Sequence, residues 1–154
     1  MGKEVLMNID APIVPGKSAA AIQLGSPIEE ILEQHNNSFS PGEVVNLSPS
    51  FPLNIRYRSA MVDVWAVEGK VEQIMVHDGY RGKLMDTIGL GSTIADVERQ
   101  IGPVEEDEED NLVIRDCPGL LFEVEGYFPD VKDPAIRHAP IKEIYVVSLS
   151  LSSQ

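Results

Sequence analysis

The sequence predicts an α+β fold made of two pseudo-repeats, each with one helix followed by three antiparallel strands. The first observation is a segment that occurs twice at a spacing of 66 residues, as Ile22–Ile31 (IQLGSPIEEI) and Ile88–Val97 (IGLGSTIADV). Each copy contains a short amphipathic stretch, and alternating apolar and polar residues follow it. Such repetition indicates one structural unit used twice. We expect the strands to form one curved sheet with both helices on one side.

Each copy of this repeated segment carries the signals that begin a helix. Ser26 is predicted as the first N-cap, with Pro27 at the first helical position and Glu29 completing a capping box. Ser92 is predicted to cap the second helix, which the Gly-Pro pair at 102–103 should end. In both helices the apolar residues recur at helical spacing, so one face of each helix should pack on the sheet.

Strand patterns follow each predicted helix. They cover 54–58, 61–68 and 71–77 in the first half, and 112–115, 120–125 and 141–149 in the second. The tripeptide at 68–70, Glu-Gly-Lys, is typical of a tight hairpin turn, and a further brief strand is predicted around 5–9. We therefore expect a single domain over 1–154, with the first repeat and its N-terminal strand at 1–84 and the second repeat at 85–154.

The composition is strongly acidic, with 12 basic and 25 acidic residues, a net charge of −13 and a pI near 4.5. Such a charge repels nucleic-acid phosphates and anionic lipids and attracts basic proteins. At 154 residues the chain can form a core without a metal or disulfides. No apolar stretch is long enough for a signal peptide, an anchor or a membrane span. We expect a soluble, cytoplasmic protein whose partner is a basic protein, with no direct contact to nucleic acid or membrane.

The acidic residues are concentrated after the second copy of the repeated segment. The contiguous run Glu105–Asp110 cannot pack in a core, because its carboxylates repel one another, so it should lie in a solvated loop or at a strand edge. The spacing of an EF-hand calcium loop is absent from it. Exposed aromatic residues in the divergent segment that follows could anchor a partner. The candidate contact residues are Glu105, Glu106, Asp107, Glu108, Glu109, Asp110, Asp116, Glu123, Glu125, Tyr127 and Phe128.

The sequence offers little that would support catalysis. The histidines, His35, His77 and His138, share no metal-ligand spacing, and Cys117 follows Asp116, whose charge disfavours a thiolate. The segment 14–18 ends like a phosphate-binding loop but lacks the first glycine of that motif, which favours a turn. We therefore predict no catalytic residue, no metal and no cofactor.

Several motifs resemble those of a family of small bacterial proteins suspected to be immunity proteins of antibacterial toxin systems, including those of type VI secretion. The residues that carry the resemblance are Gly79–Leu84 (GYRGKL), Ile88–Ser92 (IGLGS), Glu109–Ile114 (EDNLVI), Pro118–Val124 (PGLLFEV) and Pro140–Val146 (PIKEIYV). The doubled segment is also similar to the helix-plus-hairpin unit of outer-membrane assembly lipoproteins and of secreted lactamase inhibitors. This chain departs from those proteins in lacking a lipidation cysteine and disulfides.

Charge and resemblance together lead to one hypothesis and one alternative. The hypothesis is a non-enzymatic immunity protein, a monomer or a 1:1 complex, that covers the basic active-site cleft of a cognate toxin with its acidic surface. A nuclease, most simply a DNase, is the favoured toxin, because its cleft is built to hold phosphates; an ADP-ribosyltransferase, a nucleotide-consuming enzyme and a peptidoglycan hydrolase remain open. The alternative is a scaffold or assembly protein of the bacterial envelope.

Overall fold

The computed structural model describes residues 7–35, 38–45, 53–126, 128 and 132–149, which form an eight-stranded antiparallel sheet, a two-stranded hairpin and two α-helices. In chain order the elements are β1 (Ser18–Ala19), β2 (Ile22–Gln23), α1 (Ile28–Gln34), β3 (Glu43–Val44), β4 (Asn54–Tyr57), β5 (Val62–Val67), β6 (Lys70–His77), α2 (Ile94–Gln100), β7 (Val104–Glu106), β8 (Leu112–Ile114), β9 (Leu120–Val124), a 3-10 helix (Pro134–His138) and β10 (Ile141–Val147). The predicted α+β class is confirmed.

The large sheet consists of two blocks of four strands. Its strand order is β3-β4-β5-β6-β10-β9-β8-β7, so the last strands of the two blocks, β6 and β10, pair in the middle. Within the described residues, four strands of this sheet follow each helix, where the sequence predicted three. The unpredicted strands, β3 and β7, are short, largely exposed and at the two edges, and main-chain pairing forms them without an apolar pattern.

One face of the sheet forms the core. Val62 and Val64 on β5, Ile74 on β6 and Ile144 on β10 have no exposed surface. The buried residues of both helices, Ile28, Ile31, Ile94 and Val97, belong to the same apolar cluster. The apolar stripes read from the sequence therefore do pack on the sheet.

The opposite face of the sheet carries mostly polar and aromatic side chains. We call it the open face; cross-strand pairing places on it Arg56, Asp63, Trp65, Gln73, Met75, His77, Leu121, Glu123, Glu143 and Tyr145. Most of these residues are half-buried, whereas the alternate residues of the same strands are buried in the core. The strand alternation read from the sequence thus separates a dry face from a wetter one.

The predicted helix starts are wrong by one residue. Pro27 is the N-cap of α1 and makes no side-chain capping bond, so the expected capping box from Ser26 to Glu29 is not formed. In α2 the cap is Thr93 instead of Ser92, and Thr93 forms a capping box with Asp96. Each serine stays outside its helix because its main chain pairs with the sheet.

The Gly-Ser pair makes the same contacts in both halves. Gly25 N donates to the Val71 carbonyl at 2.7 Å, and Val71 N donates to the Ser26 carbonyl at 2.9 Å. In the second half, Ile141 exchanges the equivalent two bonds with the Gly-Ser pair at 91–92, at 2.9 and 2.8 Å. Both glycines have φ near +90°, which their lack of a side chain permits. The repeated segment therefore joins each helix to the last strand of its own block.

The predicted hairpin turn between β5 and β6 is confirmed. Val67 pairs with Lys70, and the two residues between them, Glu68 and Gly69, have φ values of 52° and 79°. The strand predicted around 5–9 lies partly outside the described residues, and residues 7–9 do not form a strand. None of the helices in the described part of the chain is long and apolar enough to cross a membrane.

Candidate functional site

The acidic run forms an edge hairpin of the large sheet. Val104, Glu105 and Glu106 form β7, which pairs with β8, and a turn at 107–111 connects the two strands. We call β7, this turn and β8 the acidic hairpin. Both environments expected for these carboxylates are therefore found. Glu105 and Glu106 lie on an edge strand, and the rest of the run lies in the turn that follows.

The Asp107 carboxylate fixes the conformation of this turn. Its Oδ1 accepts hydrogen bonds from the main-chain amides of Glu109 and Asn111, both at 2.9 Å, and its Oδ2 accepts one from Asn111 Nδ2 at 3.3 Å. Asp110 takes a left-handed conformation with φ of 64°. Asp107 therefore shapes the acidic hairpin, and its neighbours carry the charge that faces solvent.

The tip of the acidic hairpin projects uncompensated negative charge. Glu108, Glu109 and Asp110 are exposed, and their carboxylates form no ion pair with any described residue. Glu105, by contrast, pairs with Arg115 at 3.1 Å, and both side chains are about half exposed. An exposed pair of this kind contributes little to stability. The tip can therefore meet a cation without first breaking an internal ion pair.

Two adjoining cavities lie beside the acidic hairpin. Their volumes are about 540 and 550 Å³, and both are lined by Gln73, Glu106, Asn111 and Leu121. Space is available here because β8 and β9 share a single residue pair, Leu112 with Phe122. We call the two cavities together the acidic groove. It joins the acidic hairpin to the open face of the sheet.

A tyrosine between two carboxylates lies where the acidic groove meets the open face. The Tyr145 hydroxyl is 3.2 Å from Glu143 Oε1 and 3.4 Å from Glu123 Oε2. Burial raises the pKa of Glu143, and the neighbouring Glu123 raises it further. The pKa of Glu123 is lowered, chiefly by a hydrogen bond from Glu143 and also by Lys142. Where the two carboxyl groups share a single proton, these opposite pKa shifts favour its residence on Glu143.

The open face also holds a buried charge network that the sequence analysis missed. Asp63 is 2% exposed; its Oδ2 accepts hydrogen bonds from Arg56 Nε and Nη2 at 3.0 and 2.7 Å, and His77 Nε2 lies 2.8 Å from its Oδ1. The Arg56 guanidinium also stacks 4.7 Å above the ring of Trp65. The sequence did contain one signal of this network, an aspartate within an apolar strand. It did not indicate the partners of that aspartate, because they lie on two other strands. The network fixes the guanidinium and the indole on the open face.

The remaining predicted contact residues are dispersed. Asp116 and Glu125 are exposed beside strand ends: Asp116 follows β8, at the end opposite the turn of the acidic hairpin, and Glu125 follows β9, at the same end as that turn. Phe128 is half-buried and packs against the core, so its ring is only partly available to a partner. Tyr127 lies outside the described residues.

Two other candidates, Cys117 and the segment 14–18, lack the features of a nucleophile and of a phosphate-binding loop. Burial raises the pKa of the Cys117 thiol, which disfavours its nucleophilic form. The segment 14–18 is a turn: the amide of Gly16 donates to the Gly119 carbonyl, and those of Lys17 and Ser18 donate to the Val14 carbonyl. These amides are not directed towards a phosphate. Within the described ranges, no group of three or more His, Cys, Asp or Glu side chains is positioned to hold a metal ion.

Comparison with known proteins bears on the fold. The chain matches no protein-family model and no curated protein. It is similar to the crystal structure of the uncharacterized protein YfeY from Escherichia coli, with a TM-score of 0.61 and 10% identity over 87% of this chain and 98% of that one. A cysteine-rich secretory protein from Staphylococcus aureus matches with a TM-score of 0.48 and 10% identity, over 97% of this chain and 52% of that one. The likeness to YfeY at this identity concerns the fold alone.

Proposed function

We propose that this protein is an immunity protein that binds a cognate antibacterial toxin and neutralises it by covering a basic active-site cleft. In this proposal the two proteins form a 1:1 complex in the cytoplasm. The toxin is a nuclease, most simply a DNase, and the immunity protein inhibits it by binding, without turning over a substrate. It rests on the acidic composition, on the motif resemblance and on the geometry of the acidic hairpin.

The observation that carries the proposal is the uncompensated charge at the tip of the acidic hairpin. Glu108, Glu109 and Asp110 are exposed without an ion pair, while the Asp107 hydrogen bonds hold the turn in one conformation. A held turn loses less conformational entropy on binding than a free one. Adjacent carboxylates can occupy the positive potential that a nuclease cleft presents to phosphates. The net charge of −13 would also speed the encounter with such a cleft.

The test is a triple charge reversal, Glu106→Lys, Glu108→Lys and Glu109→Lys. The probe is a cognate toxin, to be sought among the products of the neighbouring genes. We expect the association rate constant for this toxin to fall by about tenfold or more at low salt, because the reversal removes the steering charge. The wild-type rate should fall as salt is added, and the rate of the variant should change little or rise. Stopped-flow fluorescence measures these rates, and survival of bacteria that express the toxin measures protection.

The matched control is the triple reversal Glu29→Lys, Glu30→Lys and Glu33→Lys on the exposed surface of α1, which changes the net charge by the same amount. We expect it to retain protection and most of the association rate. If the two triple variants associate equally fast and protect equally well, the acidic hairpin does not contact the toxin.

We also propose that the two halves of the domain, 1–84 and 85–154, are pseudo-repeats of one unit. The equivalent hydrogen bonds made by the two Gly-Ser pairs support this proposal. In each half a short turn before the helix also contains two consecutive non-glycine residues with positive φ, Ala20 and Ala21 in one and Met85 and Asp86 in the other. Because such residues rarely adopt this conformation, its recurrence before each helix favours a common origin.

A further inference from the structure

We propose that the acidic groove binds the side chain of an arginine presented by the partner protein, next to Tyr145 and Glu123. This inference rests on the proposed function and names the chemistry by which the partner is held. It adds a specific pocket to the less specific attraction exerted by the tip of the acidic hairpin.

The dimensions of the acidic groove suit a side chain. Each of its two cavities has a volume within the roughly 300–1,000 Å³ typical of ligand sites in proteins. The shared lining residues Gln73 and Leu121 make the cavities adjoin, so a side chain can enter one while its main chain lies along the other. This arrangement fits an extended segment of a partner protein.

The charge of the acidic groove favours a cation. The cavity next to Tyr145 is lined by Glu106, Asp110 and Glu123, and no Lys or Arg of the described chain lines it. Lys142, outside the lining, pairs with Glu123 at 3.6 Å, and both side chains are about half exposed, so this pair offers little resistance to a competing cation. In the adjoining cavity the basic side chain among the lining residues is Arg115, which already pairs with Glu105. An anionic group placed here would be repelled, and a cation would be attracted.

The walls of the cavity favour a guanidinium over a small inorganic cation. Leu121, Phe128 and Tyr145 supply apolar and aromatic surface beside the carboxylates. A guanidinium is planar and weakly hydrated, so it can stack on an aromatic ring while it donates hydrogen bonds to a carboxylate at its edge. The described side chains offer no metal-holding group, whereas an arginine needs only one or two acceptors and a flat apolar wall.

The chain carries a built-in reporter for this cavity. Trp65 is its single tryptophan, and the indole lies 6.2 Å from the Tyr145 ring and opposite Gln73, which lines both cavities. A cation bound beside Tyr145 should change the fluorescence of Trp65.

The experiment titrates the full chain with an acetylated tetra-arginine amide at low ionic strength while the emission of Trp65 is followed. We expect saturable binding that Glu123→Gln weakens by about tenfold, because one charged acceptor is lost. Asp110→Asn should also weaken it, and asparagine tolerates the left-handed backbone at this position. The matched control is Glu33→Gln, which removes one exposed carboxylate from α1 and should change affinity less than twofold.

Three results would overturn the inference: no saturable change in emission, equal weakening by Glu33→Gln and Glu123→Gln, or equally tight binding of a tetra-citrulline peptide, which lacks the charge. The peptide experiment does not use the toxin. If the peptide binds in a Glu123-dependent way but the protein neither binds the toxin nor protects cells, the proposed function fails and the groove remains an arginine site. If the protein protects and the peptide does not bind, the groove assignment fails alone.

Discussion

At the residue scale, Tyr80 shows how one side chain ties distant parts of the chain together. Its buried hydroxyl donates to the Ala11 carbonyl at 2.5 Å and accepts from the Ala20 amide at 2.8 Å. Burial raises the pKa of this hydroxyl, so it remains a donor. Nearby, a Cβ on Gly82 would lie 1.8 Å from the Ala11 carbonyl oxygen, which requires glycine there. Two residues of the GYRGKL motif are thus needed to dock the N-terminal segment.

We expect Tyr80→Phe to lower the free energy of unfolding by about 1–3 kcal/mol, because it leaves a buried amide and a buried carbonyl without their hydroxyl partner. Urea denaturation measures this change as a lower midpoint at an unchanged slope. Tyr57→Phe is the control, since the Tyr57 hydroxyl makes no hydrogen bond within the described residues; it should change stability by less than about 0.5 kcal/mol. Equal effects of the two substitutions would contradict a role for the Tyr80 hydroxyl.

At the element scale, β10 brings ionisable groups from both blocks of the sheet together. Glu143 lies opposite His77 of β6 on one side and Glu123 of β9 on the other, with Lys142 and Tyr145 next to it on its own strand. Burial raises the pKa of Glu143, so folding favours its protonated form. The stability that this carboxyl contributes is therefore present at pH below its unfolded pKa and is lost as pH rises through its folded pKa.

We therefore expect Glu143→Gln to become increasingly more stable than the wild type as the pH rises from about 4 to 8, because the variant has no carboxyl group to ionise at this position. Urea denaturation over this pH range gives the difference in unfolding free energy. Glu29→Gln, on the exposed face of α1, should show a flat difference. A difference for Glu143→Gln that falls with pH would mean that the ionised form of this carboxyl is the one that folding favours.

At the scale of the whole molecule, the elements with a strong apolar period could be predicted and the polar ones could not. The stripe of α1 and the alternation in β5, β9 and β10 record burial directly, so the sequence indicated them. Edge strands β3 and β7 have almost no buried residues, and main-chain pairing forms them. The acidic hairpin was recognisable from its charge, but the acidic groove was not, since Gln73, Asn111 and Tyr145 come from separate parts of the chain.

We expect the chain to fold when Ile22–Ile31 is replaced by the sequence of Ile88–Val97, because both copies of the repeated segment make the same main-chain contacts with the sheet. Circular dichroism should show a similar spectrum and a melting temperature lowered by no more than about 10 °C. The control is a chain in which Ile22–Ile31 is replaced by a scrambled segment of the same composition as Ile88–Val97, and this change should abolish the cooperative transition. If the copied segment abolishes the transition as well, the two copies are not structurally interchangeable.

The position of β7 at the rim of the sheet has a consequence for self-association. A strand at the rim pairs with a neighbour on one side only, and its outer side can offer main-chain donors and acceptors to another extended chain, including a second molecule of the same protein. Glu105 and Glu106 lie on this strand, and a second copy that paired antiparallel along it would bring four carboxylates into proximity. The mutual repulsion of these carboxylates opposes fibre growth at this rim. A positively charged segment of another protein would not meet this repulsion.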